Sequence, residues 1–177
     1  MKKLFTTYNI SVCGVLAGVM LVLASFSYFL GDLIGKSVFQ ISDIVYLSMF
    51  VTNINPIVLI FSAMVSGSLT DLMFGGLIYI PFTIFIKILI GVTMYFLNKK
   101  LKIYFSIIVS YSYVFLYVLY VYILYDQSTT IVEAITDSIQ YSATVVLSLF
   151  IVSYKDFKKI YNNKKQKREI EVYKDFN

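Results

Sequence analysis

Histidine and tryptophan are missing from the chain, and cysteine occurs once, as Cys13. Without an imidazole, the common zinc sites, hydrolase triads and histidine proton shuttles are ruled out. A lone cysteine closes no internal disulfide, and Cys13 sits inside the first apolar run, where a small packing role suits it. Charge is also scarce: Asp, Glu, Lys and Arg make up 14% of the residues, against about 25% in an ordinary soluble domain. Proline occurs twice, as Pro56 and Pro81, each placed to open a helix. The lack of tryptophan beside 16 tyrosines and 15 phenylalanines carries no functional reading by itself.

What fills the chain instead is apolar sequence. Of 177 residues, 59% are hydrophobic, and several runs reach the roughly 18 residues needed to cross a bilayer. The composition implies an integral membrane protein, all-α, folded as one helical bundle without a separate soluble domain. The expected layout is a short basic leader at 1–8, a six-transmembrane-helix domain at 9–154 and a basic tail at 155–177. The net charge of +5 does not require nucleic acid as a partner. Thirteen of the 15 basic residues precede the first span, separate the fourth from the fifth, or follow the sixth. The positive-inside rule accounts for that distribution and puts both termini in the cytoplasm. Five spans would send the Lys/Arg-rich tail outward. The tail reads as a solvated cytoplasmic end, with contact to anionic membrane lipid as the sharper alternative.

The first span is expected over Asn9–Leu30. A cleaved signal peptide ending near Ala24-Ser25-Phe26-Ser27 competes with it, but the apolar run continues and further spans follow. Gly14 and Gly18, with Ala17 beside them, have the small-residue spacing that lets another helix approach, inside the bundle or from a partner. Gly31 to Ser37, GDLIGKS, imitates a phosphate-binding loop. It has three residues where the motif needs four before Gly-Lys, and it follows a helix rather than a strand, so it reads as an outer loop. Ser42 to Asn53 is a shorter apolar segment whose Ser42 and Asp43 suit a helix start. Asn55-Pro56 opens a third helix to about Phe74, in which Ala63 and Gly67 repeat the small-residue spacing. A fourth runs from Pro81 to about Leu97, and a fifth from Ile103 to Tyr125, with Ser106, Ser110, Tyr113, Tyr117 and Tyr120 on one face. The last reaches about Tyr154 and carries Asp137, Gln140, Tyr141 and Thr144 at i, i+3, i+4 and i+7. Lipid cannot satisfy such a stripe, so it must face protein or a watery cavity.

The most informative stretch is Thr70–Leu97. It joins Asp71 and a glycine turn to Tyr79, Pro81, Thr83, Lys87 and Gly91 in an otherwise apolar run. A lysine within a membrane helix is energetically expensive and is a candidate functional residue. Thr83 and Lys87, one helical turn apart, can reach one ligand.

From Ser42 to Leu97 the chain resembles the substrate-binding S component of an energy-coupling factor (ECF) vitamin transporter, of the riboflavin type. That family's pattern has an acid opening a short second helix, a turn, a small-residue-rich third helix, an Asp-Leu-Leu-x-Gly-like exit, then Tyr-x-Pro-x-Thr and Ile-Lys-x-Leu-x-Gly. Here these are Ser42-Asp43, Asn55-Pro56, Ala63 and Gly67, Asp71-Leu72-Met73-Phe74-Gly75, Tyr79-Ile80-Pro81-Phe82-Thr83 and Ile86-Lys87-Ile88-Leu89-Ile90-Gly91. Ser42 replaces the usual glycine before the acid, and Gly14/Gly18 replace an Ala-x-x-x-Ala-type face toward the transmembrane partner.

The resemblance implies a subunit with no catalysis and no cofactor of its own. It would capture a vitamin or related micronutrient, riboflavin-like by preference, and pass it to a coupling subunit driven by two ATPases. It also implies that the outer helix ends converge on a pocket. Asp71, Tyr79, Thr83 and Lys87 would come from one side, Tyr117, Tyr120 and Tyr125 from the fifth helix, and Asp137, Gln140 and Tyr141 from the sixth. Lys87 would then meet a carbonyl, carboxylate or phosphate of the ligand, or pair with Asp137 until ligand arrives. Each residue also has a plainer reading. Lys87 can snorkel or lock helices together, Asp71 can bond a helix end, Asp43 can cap its helix, and the tyrosines can simply pack. Two rival functions stay open: a membrane structural or assembly protein, and a small membrane enzyme using Asp71 or Asp137. The enzyme is disfavoured because paired carboxylates and metal-ligand clusters are not evident.

Overall fold

A computed structural model describes residues 6–34, 40–52, 54–74 and 76–175, with side chains up to Lys155 apart from 30 and 32–34. Every regular element among these residues is helical: α1 (Thr7–Ile34), α2 (Ile41–Met49), α3 (Pro56–Met73), α4 (Ile80–Asn98), α5 (Ile103–Tyr111), α6 (Leu116–Leu124) and α7 (Gln127–Asp175). Short 3-10 turns at Leu77–Tyr79 and Ser112–Phe115 precede α4 and join α5 to α6. Five stretches are long and apolar enough to cross a membrane: Thr7–Phe29, Pro56–Met73, Leu77–Asn98, Ile103–Leu124 and Gln127–Lys155. Large apolar side chains such as Val15, Phe61, Phe85, Phe105, Leu119 and Phe150 are exposed around the bundle. A chain with this surface belongs in lipid, and it is a membrane protein.

Local chemistry sets the helix starts. Asn55 accepts the Ile57 amide at 3.0 Å through Oδ1, with Pro56 in the first turn, where its missing N–H leaves nothing unpaired. Pro81 does the same for α4. The turn between them is closed by the Gly76 amide donating to the Asp71 carbonyl at 2.8 Å. This fixes Asp71 and Tyr79 near one another at one end of the bundle.

Contacts between the helices fix their directions. Ser62 Oγ meets the Cys13 carbonyl at 3.2 Å, and the Tyr28 and Phe74 rings stack at 4.2 Å, so α1 and α3 run parallel. The chain must therefore return between them, and α2 does this, starting beside Ser27, whose Oγ accepts the Ile41 amide at 3.0 Å. With nine residues, α2 is about 13 Å long and too short to span a bilayer alone. It is nonetheless well buried, with Asp43, Ile44, Tyr46 and Leu47 all inside. Helix α4 runs antiparallel to α3 at close range. A Cβ on Gly91 would lie 2.2 Å from the Tyr46 hydroxyl and 2.3 Å from Ile60 Cγ1, so only glycine fits there. Met20, Tyr46, Leu47, Leu59, Ile86, Ile90, Met94, Ile107 and Tyr111 form the centre of the core.

Four expectations change. The second apolar segment is helical only to Met49, not Asn53. The last helix does not stop near Tyr154 but continues to Asp175, because neither glycine nor proline occurs after Gln127 and a shift to charged residues does not itself end a helix. Helix α1 extends to Ile34, so the loop expected over Gly31–Ser37 begins later, and residues 35–39 lie outside those described. Ala17 turns inward and is buried, whereas Gly14 and Gly18 are exposed with nothing within 4 Å of an added Cβ. Ala17 thus serves the chain's own packing and does not share an outward face with the two glycines.

Candidate functional site

The helices surround a cavity of about 320 Å³ at the end where α3 turns into α4. This lies at the small end of the range for ligand pockets, roughly 300–1,000 Å³. It is lined from α1 by Tyr28, from α2 by Asp43, and from α3 and its turn by Asp71, Phe74 and Gly76. Tyr79, Thr83, Ile86, Lys87 and Ile90 come from the next turn and α4; Val114 and Tyr117 from the 3-10 turn and α6; and Glu133, Thr136, Asp137 and Gln140 from α7.

Lys87 is 5% exposed, which rules out snorkelling. Its Nζ is ion-paired with Asp43 Oδ1, so α2 rather than α7 supplies its partner, and the expected pairing with Asp137 is not made. Asp43 Oδ2 accepts the Tyr111 hydroxyl at 2.9 Å, and that hydroxyl accepts Gln140 Nε2 at 3.0 Å. Tyr46 donates to the Lys87 carbonyl at 2.9 Å. One polar chain therefore ties α4 to α2, α5 and α7 inside an apolar bundle. Every link is satisfied, as a buried ionic pair needs if it is not to weaken the fold. Asp43 stands in the first turn of α2, as expected of an acid at a helix start, but Gln40 holds the cap position and the carboxylate bonds Lys87 and Tyr111.

Above this pair the cavity becomes aromatic and acidic. The Thr83 and Tyr117 hydroxyls share a hydrogen bond of 2.7 Å, and the Tyr79 ring lies 6.4 Å from that of Tyr117. Asp71 and Asp137, 8% and 3% exposed, enter from different helices, α3 and α7. In each, Oδ2 has no hydrogen-bond partner among the described residues. With Asp43 and Glu133, four carboxyl groups among the described residues line the cavity against one ammonium, and that ammonium is already paired.

The expected site residues therefore divide. Asp71, Tyr79, Thr83, Lys87, Tyr117, Asp137 and Gln140 line one cavity. Tyr120, Tyr125 and Tyr141 are not in its wall. Tyr120 stacks on Phe82 at 4.2 Å and donates to the Ile78 carbonyl at 2.7 Å. Tyr141 stacks on Tyr111 at 6.0 Å and donates to the Ile108 carbonyl at 3.0 Å. Tyr125 ends α6 and is 45% exposed. Tyr28, Asp43, Glu133 and Thr136 line the cavity without having been expected there, and Tyr111 joins them through Asp43. Asp43 had a signal: a lysine inside a membrane helix needs an acid, and few acids occur within the apolar runs. Tyr111 was passed over because the inward face is wider than the expected row: Ser106 and Ser110 are buried and Tyr117 lines the cavity, and the neighbouring row of Ile107, Tyr111, Val114 and Val121 is buried with them.

Comparison of the chain with family models, with curated proteins and with solved structures returns no match.

Proposed function

We propose that the chain is the substrate-binding subunit of an ECF-type importer. In this reading it captures a vitamin or related micronutrient from outside and delivers it through a coupling subunit energised by two partner ATPases. The observation that carries the reading is the cavity itself: a pocket of ligand size between six helices, with a few placed polar groups in an apolar wall. Its position on Asp71, Tyr79, Thr83 and Lys87 coincides with the stretch that carries the family resemblance. A riboflavin-like ligand is the candidate which that resemblance brings forward.

Six membrane crossings follow if α2 and its flanking turns make the short second one, a view supported by the parallel course of α1 and α3. Lys99, Lys100 and Lys102 lie beyond the end of α4 remote from the cavity. Under the positive-inside rule that end is cytoplasmic and the cavity opens outward. The exposed Gly14 and Gly18 give α1 a smooth outer strip against which a helix of the coupling subunit can pack.

A second reading, in which the polar groups only join helices, is favoured by the Lys87–Asp43 pair, because that ion pair is complete without any ligand. Co-expression with a coupling subunit and its ATPases separates the two. The transport reading expects a stable complex, a co-purifying small molecule and energy-dependent uptake of that molecule. Purification without either companion would leave the helix-joining reading in its place.

A further inference from the structure

We propose that the cavity selects a small organic cation, whose positive charge lies between Asp71 and Asp137 with aromatic rings around it. This deepens the reading of the chain as a binding subunit and rests on it.

The argument starts from charge. Among the described residues Lys87 is the only basic one in the cavity wall, and Asp43 pairs with it. What faces the remaining space is Asp71, Glu133 and Asp137. An anionic ligand would have to bring its charge among three carboxyl groups, with no free cation among the described lining residues to meet it. Asp71 and Asp137 are each more than nine-tenths buried, and each holds an Oδ2 that no described residue satisfies. Buried polar atoms in native folds are nearly always paired, so two orphans from different helices in the wall of one cavity mark where a donor is missing. Because carboxylates only accept when ionised, a positively charged donor group suits both. Aromatic faces reinforce this preference: Tyr28, Phe74, Tyr79 and Tyr117 line the same space, and ring faces attract cations. The cation is organic rather than a metal ion, because no cluster of three or more Asp, Glu, His or Cys among the described residues could hold a metal.

The test uses the full-length protein in lipid nanodiscs. It is incubated with an equimolar mixture of thiamine, choline and spermidine as cations, riboflavin and biotinamide as neutral molecules, and pantothenate and folate as anions. Mass spectrometry then identifies what is retained. Retention of a cationic member, with affinity falling about ten- to hundredfold in Asp71→Asn and in Asp137→Asn, is expected for loss of a charge-assisted hydrogen bond. The ligand-free Asp137→Asn variant should melt no lower than the parent, since its buried Oδ2 has no partner among the described residues to lose. Retention of riboflavin, biotinamide or an anion would overturn the cation inference and leave the binding-subunit reading standing. So would retention of a cation with unchanged affinity in both variants. If the parent retains nothing while Asp71→Asn and Asp137→Asn lower its melting temperature, the acids are structural and both readings fall.

Discussion

Replacing Lys87 by methionine isolates the contribution of the buried ion pair. Methionine approximates the lysine stem in length and volume, so the change removes a charge and leaves little cavity. Asp43 would then be a carboxylate 3% exposed, retaining only the Tyr111 hydroxyl at 2.9 Å. Removing one partner of a buried pair typically costs about 3–5 kcal/mol, because the other charge is left uncompensated. Insertion scales give a similar figure for an unpaired acid in mid-membrane, roughly 2.5–3.5 kcal/mol. A loss of about 3 kcal/mol is therefore expected for Lys87→Met, and a comparable loss for Asp43→Leu, which strands the ammonium and Tyr111 together. The double variant should recover most of the deficit, since both charges are then gone, and the two single effects should be strongly non-additive. Unfolding by denaturant in mixed micelles, read by tyrosine fluorescence, measures all four corners of this cycle. Single losses below about 1 kcal/mol, or a double variant equal to the sum of the singles, would refute the claim that the pair holds α2 to α4.

Other outcomes follow from particular contacts. Gly91→Ala would put a methyl 2.2 Å from the Tyr46 hydroxyl and should cost roughly 1–3 kcal/mol by overpacking, seen as a lower melting temperature. A Cβ added at the exposed Gly14 meets nothing within 4 Å, so Gly14→Leu should leave the isolated subunit's melting temperature unchanged while weakening its co-purification with a coupling subunit. Tyr117→Phe removes the 2.7 Å bond to Thr83 and should lower unfolding stability by about 1 kcal/mol, with tighter loss at the cavity than elsewhere in hydrogen exchange. Asp126, just ahead of α7, is held down to about 2 by the hydroxyls of Ser128 and Thr129. A depressed carboxyl contributes above its ordinary value, near 4, and loses that contribution as pH falls through about 2. Fraying at the start of α7, followed by hydrogen exchange, should therefore stay flat from pH 8 to 5 and rise only in strong acid; a change near neutrality would contradict this.

How far these features could be read from the chain alone depended on whether their cause was local. Pro56 and Pro81 open α3 and α4 where expected, because a proline's fit to a first turn requires no distant partner. Lys87 was conspicuous for a similar reason: an ammonium in an apolar run must be resolved somehow, whatever the fold. How it is resolved was not legible. Asp43, Asp71 and Asp137 were all acids near the membrane edge, and only the return of α2 alongside α1 places Asp43 against Lys87. The local reading of Asp43 as a helix cap was physically sound and was overridden by that long-range contact. Tyr111 shows a subtler failure. Regular spacing put Ser106, Ser110, Tyr113, Tyr117 and Tyr120 on one face, and the buried arc extends beyond that face to Ile107, Tyr111, Val114 and Val121, one position further round.

The pairing of Lys87 also alters what kind of ligand the pocket can hold, and this is where the sequence reading and the structure differ most. A free lysine would have offered its charge to a carbonyl, carboxylate or phosphate, one of the two roles expected of it beside a pairing with Asp137. Once Asp43 cancels it, the same residue becomes part of the frame, and Asp71 and Asp137 set the electrostatic character of the space that remains. Lys87→Met/Asp43→Leu removes one charge of each sign and so leaves the net charge of the wall unchanged. If the acids govern selection, that double variant should retain the parent's preference between cationic and anionic probes, with affinity for the retained probe changed by less than about tenfold. A swing toward anionic or neutral probes in competition binding would return Lys87 to the role of ligand contact.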